Sequence, residues 1–280
     1  MFYLLKCFIQ MKILLNNNDL NEALYKASNL GFVPTMGGLH RGHISLIKKS
    51  LKECKKTIVS IFVNPTQFND QNDYKKYPRN TKKDISILKK LNVDFVYLPT
   101  VNEIYFHKRI TKIKLNKKDQ ILCAKYRKGH FEGVIDVMDR LTKLIKPKKI
   151  FMGEKDFQQL HLVKKFLKKK HLSKIVGCKT IRDKNKLALS SRNFLLNKKS
   201  LLKASKIIRK LIQFKKKNNR NKNINQMLKL KKKEFNKFYN VKIEYLELRN
   251  LNNFKLSNNF QNSKIFIAFY LNKIRLIDNI

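Results

Sequence analysis

The feature that most constrains this chain is a rhythm: from about Gly31 to Lys179, short β-like runs alternate with stretches of helical periodicity. Strand candidates are Gly31–Thr35, Thr57–Asn64, Val93–Leu98, Lys149–Met152 and Lys174–Cys178. Between them, at His43–Cys54, Thr81–Leu91, Phe131–Ile145 and Phe157–Lys169, apolar residues recur every three or four positions, as on one face of a helix. Strands that alternate with helices predict βαβ units around a parallel sheet, in which ligands bind beyond the carboxyl ends of the strands. After about Ile181 the pattern changes. Two lysine-rich helices, near Leu201–Lys217 and Asn225–Phe238, are joined by a polar linker, Asn218–Asn223, and followed by strands at Val241–Leu248, Lys264–Phe269 and Ile274–Ile277. The expectation is an α/β domain over residues 1–180 and a smaller α+β domain over 181–280.

Length is compatible with that division, since 280 residues suffice for two domains of roughly 100–200 residues each. A hydrophobic share of 42% is too high for a disordered chain, despite 30% charged residues. Cys7, Cys54, Cys123 and Cys178 are far apart and form no C-x-x-C pair, which points away from a zinc site or a disulfide framework and fits a reducing cytoplasm. The opening Met1–Leu15 is apolar but broken by Lys6, Gln10 and Lys12. It has no small-residue cleavage site and is too short to span a bilayer, so no targeting or membrane segment is read there, and Met11 offers an alternative start. A net charge of +45 would ordinarily suggest nucleic acid as a partner. The lysines, however, are scattered through every helix and loop among Asn and Ile, with no arginine stripe or aromatic-interleaved basic face. Non-specific attraction at low salt is expected, without a specific nucleic-acid partner.

Four segments carry chemistry. Pro34-Thr35-Met36-Gly37-Gly38-Leu39-His40-Arg41-Gly42-His43 follows a strand and opens a helix. Its glycines let backbone approach a ligand, the helix start offers unpaired N–H groups and a positive dipole end, and two histidines three apart can face one phosphate. This is an H-x-G-H nucleotide-binding turn, suited to steadying charge on an α-phosphate as pyrophosphate leaves. Ser60-Ile61-Phe62-Val63-Asn64-Pro65-Thr66-Gln67-Phe68 ends the next strand, and its Asn64 and Gln67 place uncharged amides where a hydroxyl-bearing substrate could bond. Gly153-Glu154-Lys155-Asp156-Phe157-Gln158-Gln159 combines a glycine turn, a cation for polyphosphate and a carboxylate for ribose or a metal. Leu187-Ala188-Leu189-Ser190-Ser191-Arg192-Asn193 aligns two hydroxyls and a guanidinium as a phosphate clamp at the domain junction. Each of the last three is equally compatible with an ordinary turn or helix cap.

In this order and spacing the four segments resemble the pantothenate synthetase family, whose runs are P-T-M-G-x-L-H-x-G-H, F-V-N-P-x-Q-F, G-E-K-D-[FY]-Q-Q and L-x-S-S-R-N. Tyr77-Pro78-Arg79, Gly129-His130-Phe131, Gly133-Val134 and Arg275-Leu276-Ile277-Asp278 extend the likeness over nearly the whole chain from about Met11. The resemblance implies a Rossmann-like nucleotidyl-transferase domain with a parallel sheet, a smaller C-terminal lid domain and a homodimer. It implies a reaction in which ATP, with Mg²⁺, activates pantoate as pantoyl-adenylate before β-alanine displaces AMP. Carried onto this chain, the ATP site comprises Met36, Gly37, Gly38, Leu39, His40, Arg41, Gly42, His43, Gly153, Glu154, Lys155, Asp156, Ile181, Leu189, Ser190, Ser191 and Arg192. His43 takes the proton-donor role with His40 beside it, while Lys155 and Arg192, with the two serines, neutralise developing charge. Gln67 and Gln159 hold pantoate, and Asn64 is a neighbouring substrate contact.

Four departures from the family pattern stand out, the first being Arg41, which stands where the family often has an acid or other small polar residue. Leu122–Lys128 replaces a run closer to L-E-G-x-x-R-P, Lys186 replaces a glycine before L-A-L-S-S-R and must avoid positive φ or accept strain, and Phe106–Asn116 looks shortened. Alternative readings are another H-x-G-H nucleotidylyltransferase and a basic nucleic-acid-binding protein on the same fold.

Overall fold

The computed structural model describes residues 10–107, 113–221 and 223–280. Expectations about residues 1–9, Cys7 among them, lie outside the described residues, as does part of the shortened Phe106–Asn116 segment. The chain runs β1 (Lys12–Leu14), α1 (Asn17–Leu24), β2 (Leu30–Thr35), α2 (Arg41–Glu53), β3 (Lys56–Ile61), α3 (Gln71–Lys75), α4 (Thr81–Lys90), β4 (Phe95–Tyr97), α5 (Val101–Tyr105), α6 (Cys123–Tyr126), α7 (His130–Ile145), β5 (Lys149–Gly153), α8 (Phe157–Leu167) and β6 (Lys174–Cys178). It continues through α9 (Lys198–Lys217), α10 (Ile224–Tyr239), β7 (Lys242–Asn250), β8 (Ser263–Leu271) and β9 (Ile274–Asn279). Two compact units result. The first contains the described residues of Met1–Leu115, Gly129–Met152 and Leu160–Cys178; the second contains Asn116–Lys128, Gly153–Gln159 and Lys179–Ile280.

The first unit holds a six-stranded sheet in the order β1-β4-β3-β2-β5-β6, and the pairs β1/β4, β4/β3, β3/β2 and β2/β5 are parallel. Its strands are apolar along their length, as expected where both faces are covered: Phe32, Val33, Ile58, Val59, Val96 and Phe151 have no exposed surface. Val33, Val59, Val96 and Phe151 pack with Ile47 of α2 and Leu88 of α4 in one core. After β4 the strand order reverses, so β2 and β5 flank the switch point at which doubly wound sheets bind ligands.

The second unit packs α9 and α10 with an antiparallel sheet in the order β7-β8-β9. Ile207, Ile208 and Leu211 of α9 and Leu228 and Phe235 of α10 form its core with Leu248, Ile265, Ile267 and Phe269. The lysines that make both helices so basic occupy the remaining faces, the usual disposition of an amphipathic helix.

Differences from the sequence reading lie at boundaries and in short elements. The strand expected to run to Asn64 stops at Ile61, because Asn64 turns the chain by accepting the Thr66 N–H at 3.3 Å ahead of Pro65. α2 and α9 start earlier than expected, since His40 and Asn197 are their N-caps. β1, α1, α3, α5 and α6 are too short or too weakly patterned to be foreseen. Among the described residues, no helix is long and apolar enough to cross a membrane.

Candidate active site

In the first unit the H-x-G-H turn leaves the carboxyl end of β2. Gly37 and Gly38 take φ values of 77° and 61°, a region glycine enters without steric cost, and this doubles the chain back onto the start of α2. His40 caps that helix, its Nδ1 accepting the Gly42 N–H at 3.0 Å, while Nδ1 of His43 accepts the His40 N–H at 3.4 Å. The rings lie 4.1 Å apart, tilted by 34°. Because each Nδ1 is an acceptor, the neutral rings carry their protons on Nε2. The capping geometry thus sets two N–H donors side by side at a positive helix end. Arg41, between them in sequence, is exposed.

The turn is held by a residue that the sequence reading missed. Asp84, in the first turn of α4 and 2% exposed, accepts the N–H groups of Gly38 and Leu39 at 2.9 and 2.8 Å. A Cβ on Gly37 would come within 2.9 Å of the same carboxylate, so both the conformation and the space require glycine there. In sequence Asp84 reads as an ordinary first-turn acid among lysines, and nothing local marks its reach of more than forty residues.

At the end of β3, Asn64 and Gln67 are brought together. Asn64 is 1% exposed, and its Nδ2 donates to Gln67 Oε1 at 3.1 Å and to the Gly133 carbonyl at 3.2 Å. Its Oδ1 accepts from Tyr105 Oη at 2.7 Å and Thr66 Oγ1 at 3.1 Å, so its amide is committed to the scaffold. Burial pushes the Tyr105 phenol above its usual range. Gln67 also bonds Met36 Sδ through Nε2 at 3.0 Å, which joins this cluster to the H-x-G-H turn. The backbone of Thr66–Gln67 rests on α7: Nδ1 of His130 lies 2.7 Å from the Gln67 carbonyl, and a Cβ on Gly133 would stand 2.4 Å from the Thr66 oxygen.

In the second unit, Glu154–Asp156 forms a 3-10 turn between β5 and α8. Lys155 Nζ pairs with Asp156 Oδ1 at 3.2 Å, and the carbonyls of Glu154 and Lys155 both accept from Asn279 Nδ2. Gln158 is buried and donates to the carbonyls of Asp119 and Ile121, anchoring the stretch that leads into α6, whereas its neighbour Gln159 is half-buried. In the departure at Leu122–Lys128, Leu122 takes a φ of 48° and Cys123 bonds Tyr245 Oη at 3.0 Å. Ile181 and Leu189 meet through the Leu189 N–H at 3.0 Å across a short hairpin, at whose tip Lys186 accepts a φ of 70°. Ser190 caps the following 3-10 turn, its Oγ accepting the Arg192 N–H at 3.3 Å; Ser191 is buried and Arg192 half-buried.

Comparison with known proteins identifies the family. The model of the pantoate-beta-alanine ligase family matches residues 12–280. A pantothenate synthetase of Azobacteroides pseudotrichonymphae is 41% identical, over 96% of this chain and 99% of the relative. The crystal structure of a pantoate-beta-alanine ligase from Francisella tularensis, complexed with beta-gamma ATP and beta-alanine, is 38% identical with a TM-score of 0.83, covering 96% of this chain and 97% of that one. Pantothenate synthetase from Thermus thermophilus, 30% identical, superposes with a TM-score of 0.89 over 96% of this chain and 99% of its own. With a family model matched along almost its full length and relatives at this identity, the chain belongs to the pantoate-beta-alanine ligase family.

Proposed function

We propose that this chain joins pantoate to β-alanine in two ATP-driven half-reactions. The pantoate carboxylate attacks the α-phosphorus of ATP, the bond to the bridging oxygen of pyrophosphate breaks, and pantoyl-adenylate forms. The β-alanine amine then attacks the activated carbonyl, loses a proton, and AMP leaves to give pantothenate. The observation that carries this reading is the histidine pair, with two imidazoles whose Nδ1 atoms are occupied by backbone N–H groups at a helix start. Such a pair donates from Nε2 to phosphate oxygens as negative charge shifts toward pyrophosphate, without a movement at the moment of reaction.

The remaining assignments follow the family. Met36 through His43, Gly153 through Asp156, Ile181 and Leu189 through Arg192 bind ATP. His43 acts as proton donor beside His40, and Lys155 and Arg192, with the hydroxyls of Ser190 and Ser191, neutralise phosphate charge. Gln67 and Gln159 hold pantoate, with Gln67 also near β-alanine. Asn64 serves Gln67 by fixing its Oε1, which leaves the Gln67 orientation to the scaffold rather than to the substrate. An adenylate must be kept from water, which suits the proposed assignment of the C-terminal domain as a lid.

Among the described residues no group of three or more His, Cys, Asp or Glu side chains could hold a metal ion. Mg²⁺ arriving with ATP uses substrate phosphates and waters with only one or two carboxylates, and Asp156, beside Lys155 in the 3-10 turn, would supply one of them. Bound there, the ion would supply charge for the phosphates. A cytoplasmic homodimer completes the proposal, with sedimentation of the purified chain as its check.

The test is pantoate-dependent pyrophosphate release from ATP and Mg²⁺, followed by β-alanine-dependent AMP release. Both activities are expected, and His43→Ala should lower them by ~10²–10⁴-fold, the usual contribution of a positioned acid–base group. Folded protein that releases neither product, or a His43→Ala variant as active as the parent, would reject the assignment.

A further inference from the structure

We infer that Asn279, on β9, is the positioning residue for Lys155, an inference that rests on the proposed assignment of Lys155 to the phosphates of ATP. One side-chain amide bridges two successive peptides: Nδ2 of Asn279 donates to the carbonyl oxygens of Glu154 and Lys155, each at 2.8 Å. Those carbonyls belong to the two peptide planes that meet at the Cα of Lys155. Rotation about φ and ψ of Lys155 turns one plane against the other, so two bonds from a single rigid amide clamp both angles. The direction in which the lysine side chain leaves the backbone is then set before any ligand arrives. An isolated 3-10 turn has poorer hydrogen-bond geometry than an α-helix and would hold that direction loosely.

The clamp is itself immobilised from every side. Asn279 Oδ1 accepts from Lys264 Nζ at 3.1 Å, so a flipped amide would point its oxygen at two carbonyls and its hydrogens at an ammonium. Its backbone N–H donates to Asp278 Oδ1 at 2.7 Å, and its carbonyl accepts from Arg182 Nη2 at 3.0 Å. Arg182 closes a two-pronged pair with Asp278 at 2.6 and 2.9 Å, the bidentate geometry that fixes orientation as well as distance. Asp278 and Asn279 are 4% and 3% exposed, so water does not compete for these bonds. Lys264 also lies 3.7 Å from the Glu154 carboxylate, and thus holds the amide and the turn from the same side. Anchoring β9 would account for the Arg182–Asp278 pair alone. It does not account for an amide whose whole donor capacity is spent on the two peptides flanking one lysine.

A purely structural Asn279 would cost stability without regard to ligand; a positioning Asn279 affects ATP through Lys155. The experiment measures ATP affinity by titration calorimetry for the full chain, Asn279→Ala, Lys155→Ala and the double variant, with KM for pantoate measured alongside. Asn279→Ala should weaken ATP binding about tenfold, the scale of one or two hydrogen bonds, and leave the pantoate KM within about twofold. In the double variant, ATP binding should match Lys155→Ala to within about twofold, the non-additivity expected of residues that act as a unit. If Asn279→Ala folds poorly, Lys264→Met tests the same clamp at a side chain that is 25% exposed, with a smaller loss of about threefold confined to ATP. Folded Asn279→Ala that binds ATP as the parent does, or that multiplies the Lys155→Ala loss by its full factor, overturns the proposal while the role of Lys155 stands. Should Lys155→Ala itself bind ATP normally, the assignment of Lys155 fails and this inference falls with it.

Discussion

Replacing Gly133 by alanine sets two well-understood effects against each other. Gly133 lies within the 16-residue helix α7, where exchanging glycine for alanine ordinarily stabilises by about 1 kcal/mol. Here the added Cβ would stand 2.4 Å from the Thr66 oxygen, 2.7 Å from its carbonyl carbon and 2.9 Å from the Gln67 nitrogen. All three are backbone atoms, so no side chain can rotate away. The Thr66–Gln67 turn must retreat by the better part of an ångström, against Asn64 Nδ2 on the Gly133 carbonyl and His130 Nδ1 on the Gln67 carbonyl. Overpacking of this kind costs about 1–3 kcal/mol, and weakening two buried hydrogen bonds adds about 1 kcal/mol. After the helix gain is subtracted, the net is a destabilisation of roughly 1–3 kcal/mol. Function should suffer more, because a displacement of about 1 Å at a substrate-positioning group can lower kcat/KM by ~10²-fold, here expected for pantoate through Gln67. Urea denaturation with a fixed m-value gives the first quantity and steady-state kinetics the second. A Gly133→Ala protein more stable than the parent, with unchanged kcat/KM for pantoate, would refute the argument that α7 and the Gln67 turn are in backbone contact.

Asp84→Ala leaves the N–H groups of Gly38 and Leu39 without their carboxylate and should destabilise by about 2–4 kcal/mol. Asp84→Asn, which keeps one acceptor oxygen, should lose about half as much, and equal losses for the two variants would contradict a carboxylate that serves two donors. Lys186→Gly relieves a φ of 70° and should stabilise by up to about 1 kcal/mol once the greater freedom of glycine in the unfolded chain is counted; a loss on thermal denaturation would show that the hairpin tip is unstrained. Burial, aided by the Glu103 carboxylate, holds the Tyr97 phenol above its ordinary range. A phenol that stays protonated longer in the fold contributes its stability fully below about pH 10, and loses it as pH rises through the folded value, at about 1.4 kcal/mol per pH unit. Tyr97→Phe forfeits the 2.6 Å bond to Asn17 near neutral pH but should make the alkaline decline shallower by about that slope; parallel urea-stability curves between pH 9 and 11 would exclude a buried phenol.

Much of this fold is written locally. The apolar strands and three-to-four periodic helices placed the parallel sheet, because burial on both faces and amphipathic burial leave different periods in a sequence. The H-x-G-H turn and Gly153–Gln159 were also legible as ligand-binding candidates, since strand ends, glycines and helix starts are local features. Two local features are decided only in three dimensions: Lys186 accepts a positive φ, and the Asn64 amide bonds Gln67, Gly133, Tyr105 and Thr66. The residues that hold these segments in place within each unit were not legible at all. Asp84 reads as a helix-start acid, Gly133 as a poor helix former and Asn279 as a polar residue on a strand; each becomes intelligible only through a partner that is 45, 67 or 124 positions away. Hydrophobic period and capping chemistry are short-range physics, and the sequence by itself determines what they control: the elements and the chemical groups they carry. Which carboxylate meets which turn, and which helix must lack a side chain, depends on close packing between distant elements, and that is decided only when the chain is folded.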